Sequence, residues 1–220
     1  MEGKRVGVVL AGCGFLDGAE IHEATLTLLA LDRAGARVQC MAPNIEQMHV
    51  VDHGASAPAE GETRNVLVES ARIARCEIAD MATVSADDLD ALIFPGGFGA
   101  AKNLSTFAVD GPACSIQEDV TRLIRAMHDA GKPQGFICIA PALAAKALGE
   151  RSPRLTIGND ADTAAGLSAL GATHVDCPVD DIVSDDTLNI VSTPAYMLGP
   201  SIAPVARGID KLVDEVLSRA

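Results

Sequence analysis

The chain has 220 residues, of which 48% are hydrophobic and 21% charged, enough apolar surface for a real core, which excludes global disorder. A formal net charge of −13, with 3% aromatics and no Trp, argues against nucleic-acid partners, membrane surfaces and base-stacking platforms. Six cysteines are scattered without a C-x-x-C, so they read as reduced thiols and point to a cytoplasmic protein rather than a disulfide scaffold.

Lys4-Arg5 before an apolar run imitate the start of a signal peptide, but the run is short for that role and reads as a first strand, Val6 to Leu10. Glycines 12, 14 and 18 follow, and then a helix from Glu20 to Ala34 with Ile21, Ala24, Leu28 and Leu31 on one face. Arg37 to Met41 is the second strand. His49-Val50-Val51 could be a short strand, and Gly54 to Gly61 reads as loop. A helix is expected from Arg64 to Arg75, capped by Thr63. Ala91 to Phe94 is a strand that runs into the turn Pro95 to Gly99. Ile116 to Ala130 is an amphipathic helix, and Gly135 to Ile137 a strand that ends at Cys138. Beyond it come a helix Pro141 to Leu148, a strand Arg154 to Ile157 and a helix Asp160 to Leu170. Strands Ile182-Val183 and Asn189 to Ser192 precede a closing helix, Ile202 to Leu217. Short apolar strands alternating with helices predict one α/β domain over residues 1–220, its parallel sheet covered on both faces. Ligands of such sheets bind beyond the carboxyl ends of the strands.

Three segments fall at such ends. In Gly135-Phe136-Ile137-Cys138-Ile139-Ala140-Pro141-Ala142 an apolar strand meets a Cys and passes directly into a helix. This is the pattern of a nucleophile elbow. The helix aims its N–H groups and positive dipole end at the sulfur, which favours thiolate; a buried structural Cys is the alternative. The Pro95-Gly96-Gly97-Phe98-Gly99 turn lets backbone approach a ligand, and Gly97 and Ile139 N–H groups could form an oxyanion hole if turn and elbow are neighbours. Glu20 and Glu23 lie one helical turn apart at the start of a largely apolar helix. Desolvation would raise the Glu23 pKa and suit it to proton transfer, although acids also belong in a first turn for dipole reasons.

Other chemistries fall away. Glycines 12, 14 and 18 miss the dinucleotide spacing, no acid ends the second strand, and there is no P-loop, so no cofactor is expected. His174, Asp176, Cys177, Asp180 and Asp181 match no zinc pattern and read as a solvated acidic loop, so no metal is expected either.

Taken in order, these segments, with Glu62 to Leu67, Arg154 to Gly158, Cys177 to Val183 and Thr193 to Met197, resemble the DJ-1/PfpI superfamily, which shares its core with class I glutamine amidotransferases. Within it they resemble the isoprenoid-biosynthesis glyoxalase ElbB branch most. The resemblance implies a flavodoxin-like three-layer sandwich with a mostly parallel sheet. It makes Cys138 the reactive residue, Glu23 its acid–base partner, and the Gly97 and Ile139 N–H groups the oxyanion donors. Gly96, Phe98, Arg64 and Asn65 become pocket residues, with Asp162 and Tyr196 as possible neighbours, and a homodimer is expected. Many members place a His near the nucleophile. Here Ile139 follows Cys138 and the later strand offers Gly158 and Asn159, which leaves amidase and amidotransferase chemistry without an imidazole base. The expected function is a cofactor-free glyoxalase acting on glyoxal or methylglyoxal. The alternative is a binding protein with Cys138 as an oxidation sensor.

Overall fold

The computed structural model describes residues 3–220. Its strands are β1 (Arg5–Val9), β2 (Arg37–Ala42), β3 (Val51–Asp52), β4 (Ala57–Pro58), β5 (Ile78–Asp80), β6 (Ala91–Phe94), β7 (Gln134–Ile137), β8 (Arg154–Leu155), β9 (Thr173–His174), β10 (Val183–Asp185) and β11 (Ile190–Thr193). Its α-helices are α1 (Ile21–Arg33), α2 (Val66–Ile73), α3 (Phe98–Lys102), α4 (Phe107–Asp110), α5 (Glu118–Asp129), α6 (Pro141–Leu148), α7 (Ala161–Ala169) and α8 (Ile202–Arg219).

Seven strands form the central sheet in the order β10-β11-β7-β6-β1-β2-β5. All neighbours pair in parallel except β10 and β11, which form an antiparallel hairpin. The strand period of two sorts the core. Val6, Val8 and Leu10 face α1 and α8, whose buried residues include Ala24, Leu31, Val205, Ile209 and Leu212. Val9 and Ala11 face the opposite layer, where Leu123 and Met127 of α5, Leu143 of α6 and Leu167 of α7 pack on Phe94 and Phe136. Helices therefore cover both faces of a mostly parallel sheet, the expected flavodoxin-like sandwich.

Helix boundaries follow local chemistry. Glu20 caps α1 by accepting the Glu23 N–H at 2.7 Å, and Gln117 caps α5 through the Val120 N–H at 2.9 Å. Gly35 and Gly131 adopt positive φ just past the ends of α1 and α5, the usual helix stop.

Several elements depart from the sequence expectation. Strand β8 holds two residues and pairs with β9 in a small sheet of its own. Side chains substitute for its ladder to the main sheet: Arg154 N–H donates to Asp185 and Thr156 N–H to Ser192. Strand β5 is an edge of three half-buried residues, too short to carry a readable pattern. The presumed loop around residue 57 closes a two-residue hairpin, β3–β4. The turn after β6 is shorter than expected, because α3 begins at Phe98.

Candidate active site

The sheet reverses direction between β1 and β6: the chain proceeds from β1 to β2 and β5 on one side, and to β6, β7 and β11 on the other. Loops leaving the carboxyl ends of strands separate at such a point and leave a crevice. The three sequence-selected segments converge there.

Cys138 follows β7 with φ of 61°, a left-handed conformation that non-glycine residues adopt at a cost of about 1–3 kcal/mol. The strain turns the chain from strand into α6 within a few residues and presents the thiol at the sheet's edge, as a nucleophile elbow requires. The elbow is anchored by the Cys138 N–H, which donates to the Thr193 carbonyl of β11 at 2.9 Å. The Gly97 and Ile139 backbone N–H groups both act on the sulfur to favour its ionised form. Turn and elbow are thus neighbours: a Cβ on Gly96 would stand 2.5 Å from Cys138 Cβ.

Glu23 is fully buried in the first turn of α1. Its Oε2 accepts the Gly96 N–H at 2.9 Å and its Oε1 the Tyr196 N–H at 3.2 Å. Its carboxyl lies beside the Cys138 side chain, both flanking Gly96. Gly96 makes this approach possible: a Cβ there would stand 2.5 Å from Cys138 Cβ and 2.7 Å from Glu23 Oε2. Burial first, and then the nearby Glu20 carboxylate, push the Glu23 pKa up to about 8.

Cys138 is 7% exposed, and burial, reinforced by the negative charge available to Glu23, pushes its thiol well above the ordinary range. The expected resting thiolate is corrected accordingly. Desolvation and a neighbouring acid outweigh the two N–H donors and the helix dipole, which the flanking sequence alone suggested would dominate. Thiol and carboxyl form an adjoining acid–base pair.

Above the pair opens a cavity of about 770 Å³, lined by Cys138, Ile139, Gly97, Phe98, Glu20 and Tyr196 among others. Phe15, Phe107 and Met197 supply much of its apolar wall. The loop after β1 is zipped to the turn after β6, with Phe98 N–H on Phe15 O and Gly99 N–H on Gly18 O, each at 2.8 Å. That zipper sets Phe15 and Phe98 beside the opening.

Two expected pocket residues lie elsewhere. Arg64 lines a separate depression beside the β3–β4 hairpin, where it faces Glu62 and Glu69. Asn65 caps α2 through the Val68 N–H at 3.0 Å and bonds the Asn44 side chain. Both are corrected: the start of α2 lies over the β2 side of the sheet, away from the elbow. Gly96 underlies the pair rather than lining the cavity. Of the two neighbours suggested by resemblance, Tyr196 lines the cavity, whereas Thr163 rather than Asp162 does so from α7.

The sequence reading missed His22. Its Nδ1 and the Tyr196 hydroxyl are 2.8 Å apart, and both residues line the cavity. The available signal was its place immediately before Glu23, at the start of a helix that follows a strand end. In the His174 loop, Asp176 lies 3.7 Å from His174, and Asp180 and Asp181 pair with Arg207 and Lys211 of α8. Among the described residues no group of three or more His, Cys, Asp or Glu is placed to hold a metal, and no helix is long and apolar enough to cross a membrane.

A strained cysteine elbow at the switch point of a flavodoxin-like sheet, backed by a buried glutamate, defines the class of protein. Comparison with known proteins narrows it. The chain is 50% identical over 222 residues to human glutamine amidotransferase-like class 1 domain-containing protein 3, mitochondrial, covering 97% of this chain and 82% of that protein. It is 47% identical over 222 residues to the ES1 protein homolog, mitochondrial, of Rattus norvegicus, covering 97% and 83%. An isoprenoid biosynthesis protein with amidotransferase-like domain from Ehrlichia chaffeensis superposes with a TM-score of 0.90 at 38% identity, over 98% of this chain and 100% of that one. Drosophila melanogaster DJ-1beta, at 20% identity and a TM-score of 0.58 over 99% and 96%, shares the fold. No protein-family model matches the chain. The chain belongs to the family of glutamine amidotransferase-like class 1 and ES1 proteins, and it shares its fold with DJ-1 proteins. The mitochondrial names of its relatives overturn the cytoplasmic expectation. Free cysteines report a reducing environment, and more than one compartment provides that.

Proposed function

We propose that this protein is a cofactor-independent glyoxalase that converts glyoxal, and also methylglyoxal, to the 2-hydroxy acid. The observation that carries the reading is the Cys138–Glu23 pair, in which an elbow thiol adjoins a fully buried carboxyl whose pKa is pushed up to about 8. Isomerising a 2-oxoaldehyde needs one nucleophile and one group that both takes and returns a proton.

Glu23 as carboxylate takes the thiol proton while Sγ adds to the aldehyde carbon. The proton passes to the aldehyde oxygen and gives a hemithioacetal, its developing charge met by the Gly97 and Ile139 N–H groups. Glu23 then removes the hydrogen on that carbon as a proton. The resulting enediol is reprotonated at the second carbon. The first carbon is thereby oxidised to a thioester and the second reduced to an alcohol, so no external electron carrier enters. Water cleaves the thioester, releasing glycolate from glyoxal or lactate from methylglyoxal and restoring the thiol. Amidotransfer is less well supported, since the side-chain partner of the Cys138 sulfur is a carboxyl and not an imidazole.

The test is consumption of glyoxal by purified protein in EDTA-treated buffer, with Cys138→Ala in parallel. Turnover in the wild type that vanishes in the variant is the expected result. Equal consumption by both proteins, or none by a wild type whose Cys138 is shown to be reduced, would sink the reading.

A further inference from the structure

Glyoxal has four non-hydrogen atoms and fills roughly the space of two to three waters, at about 30 Å³ each. The cavity above Cys138 measures about 770 Å³, roughly tenfold more and within the ~300–1,000 Å³ typical of pockets that enclose drug-sized ligands. Its surplus wall is apolar: Phe15, Phe98, Phe107 and Met197 line it together. Phe15 and Phe98 are large aromatics left 49% and 47% exposed, although aromatic burial is strongly favourable. None of the described lining residues is Lys or Arg, while Glu20 is among them, and the whole chain carries −13. An anionic substituent would meet Glu20, and Lys102, whose ammonium lies 5.1 Å from the Phe98 ring centroid, is already held by the Leu16 carbonyl.

Resting on the glyoxalase reading, we infer that the preferred substrate is a neutral 2-oxoaldehyde bearing an apolar group of about aryl size, with the Phe98–Phe107 wall as its specificity surface. The aldehyde carbon meets Sγ as before, and the substituent on the ketone carbon occupies the aromatic half of the cavity. The chemistry balances in the same way: the aldehyde carbon becomes the carboxylate, the ketone carbon the alcohol, and water is the sole co-reactant.

The experiment compares kcat/KM for glyoxal, phenylglyoxal and 4-carboxyphenylglyoxal in the wild type, Phe98→Ala and Phe107→Leu. Phenylglyoxal is expected to exceed glyoxal by about tenfold or more, in line with burial of one aromatic ring. The carboxylated analogue should fall about tenfold below phenylglyoxal. Each variant should reduce the phenylglyoxal-to-glyoxal ratio several-fold; Phe98 is half exposed, so its truncation leaves no core void. If glyoxal is turned over while phenylglyoxal is no better and the variants leave the ratio unchanged, this inference is overturned and the glyoxalase reading stands. If neither substrate is consumed by reduced wild-type protein, both fall.

Discussion

A fully buried carboxyl with a pKa near 8 titrates in the range where enzymes are assayed, so Glu23 should leave two signatures. As the base, it is active when ionised, and kcat/KM should rise with pH through about 8. Glu23→Gln should lose turnover by a factor on the order of 10²–10⁴, together with that profile. Stability has the opposite trend. The folded pKa lies above the unfolded value of 4.5, so between these values the folded state holds a proton that the unfolded state has released. Stability therefore declines as pH rises through that window. The wild-type Tm should fall between about pH 5 and 8, with a flatter curve for Glu23→Gln; parallel curves would show that Glu23 titrates normally. Gly96→Ala is the steric counterpart. Its Cβ would stand 2.5 Å from Cys138 Cβ and 2.7 Å from Glu23 Oε2, so the pair must separate. We expect at least a tenfold loss of turnover with the circular dichroism spectrum retained.

Among the elements, α2 tests whether its N-terminus belongs to the site. Asn65 caps it, and Asn65→Ala should cost about 1 kcal/mol, or roughly 2–4 °C in Tm for a chain of this size. Because Asn65 lies outside the cavity, kcat/KM for glyoxal should stay within twofold of the wild type. A tenfold kinetic defect with unchanged Tm would return Asn65 to the active site. Helix α1 has the contrary character: one turn holds Glu20 as cap and cavity residue, His22 at the wall and Glu23 beneath. The small helix α6 begins two residues after Ile139, whose backbone N–H lowers the thiol pKa. These short links leave little slack between backbone and chemistry.

Across the whole molecule, the site is held by strands whose side chains meet on the far face of the sheet. Phe94, two residues before Gly96, and Phe136, two before Cys138, stack with ring centroids 5.0 Å apart and planes 4° from parallel. Both are fully buried in the layer that contains α5 and α6. Phe136→Ala should cost about 3–5 kcal/mol, and thermal unfolding should show Tm lowered by roughly 6–20 °C. A change of less than 2 °C would mean that the core refills the void.

Much of the fold and part of the site were legible in the chain. Local patterns carried the alternation of strands and helices, the exact span of α6, the elbow at Cys138, the glycine turn after β6 and the acid at Glu23. These features depend on residues near one another in sequence: turn chemistry, caps and hydrophobic period. What depends on distant partners was decided by tertiary structure. Strand β10 runs antiparallel because its hairpin folds back on β11, and β8 pairs with β9 while the Arg154 and Thr156 N–H groups donate to side chains 31 and 36 residues away. Arg64 and Asn65 were placed in the pocket by resemblance, yet neither lines the cavity above Cys138. His22 meets Tyr196 across 174 positions. The raised Cys138 pKa arises from desolvation by the assembled core and from an acid on another helix. Sequence alone therefore marked Cys138 and Glu23 as candidate groups at strand and helix ends, whereas their protonation, access and cavity partners depended on folding, since burial and long-range proximity exist only in the packed chain.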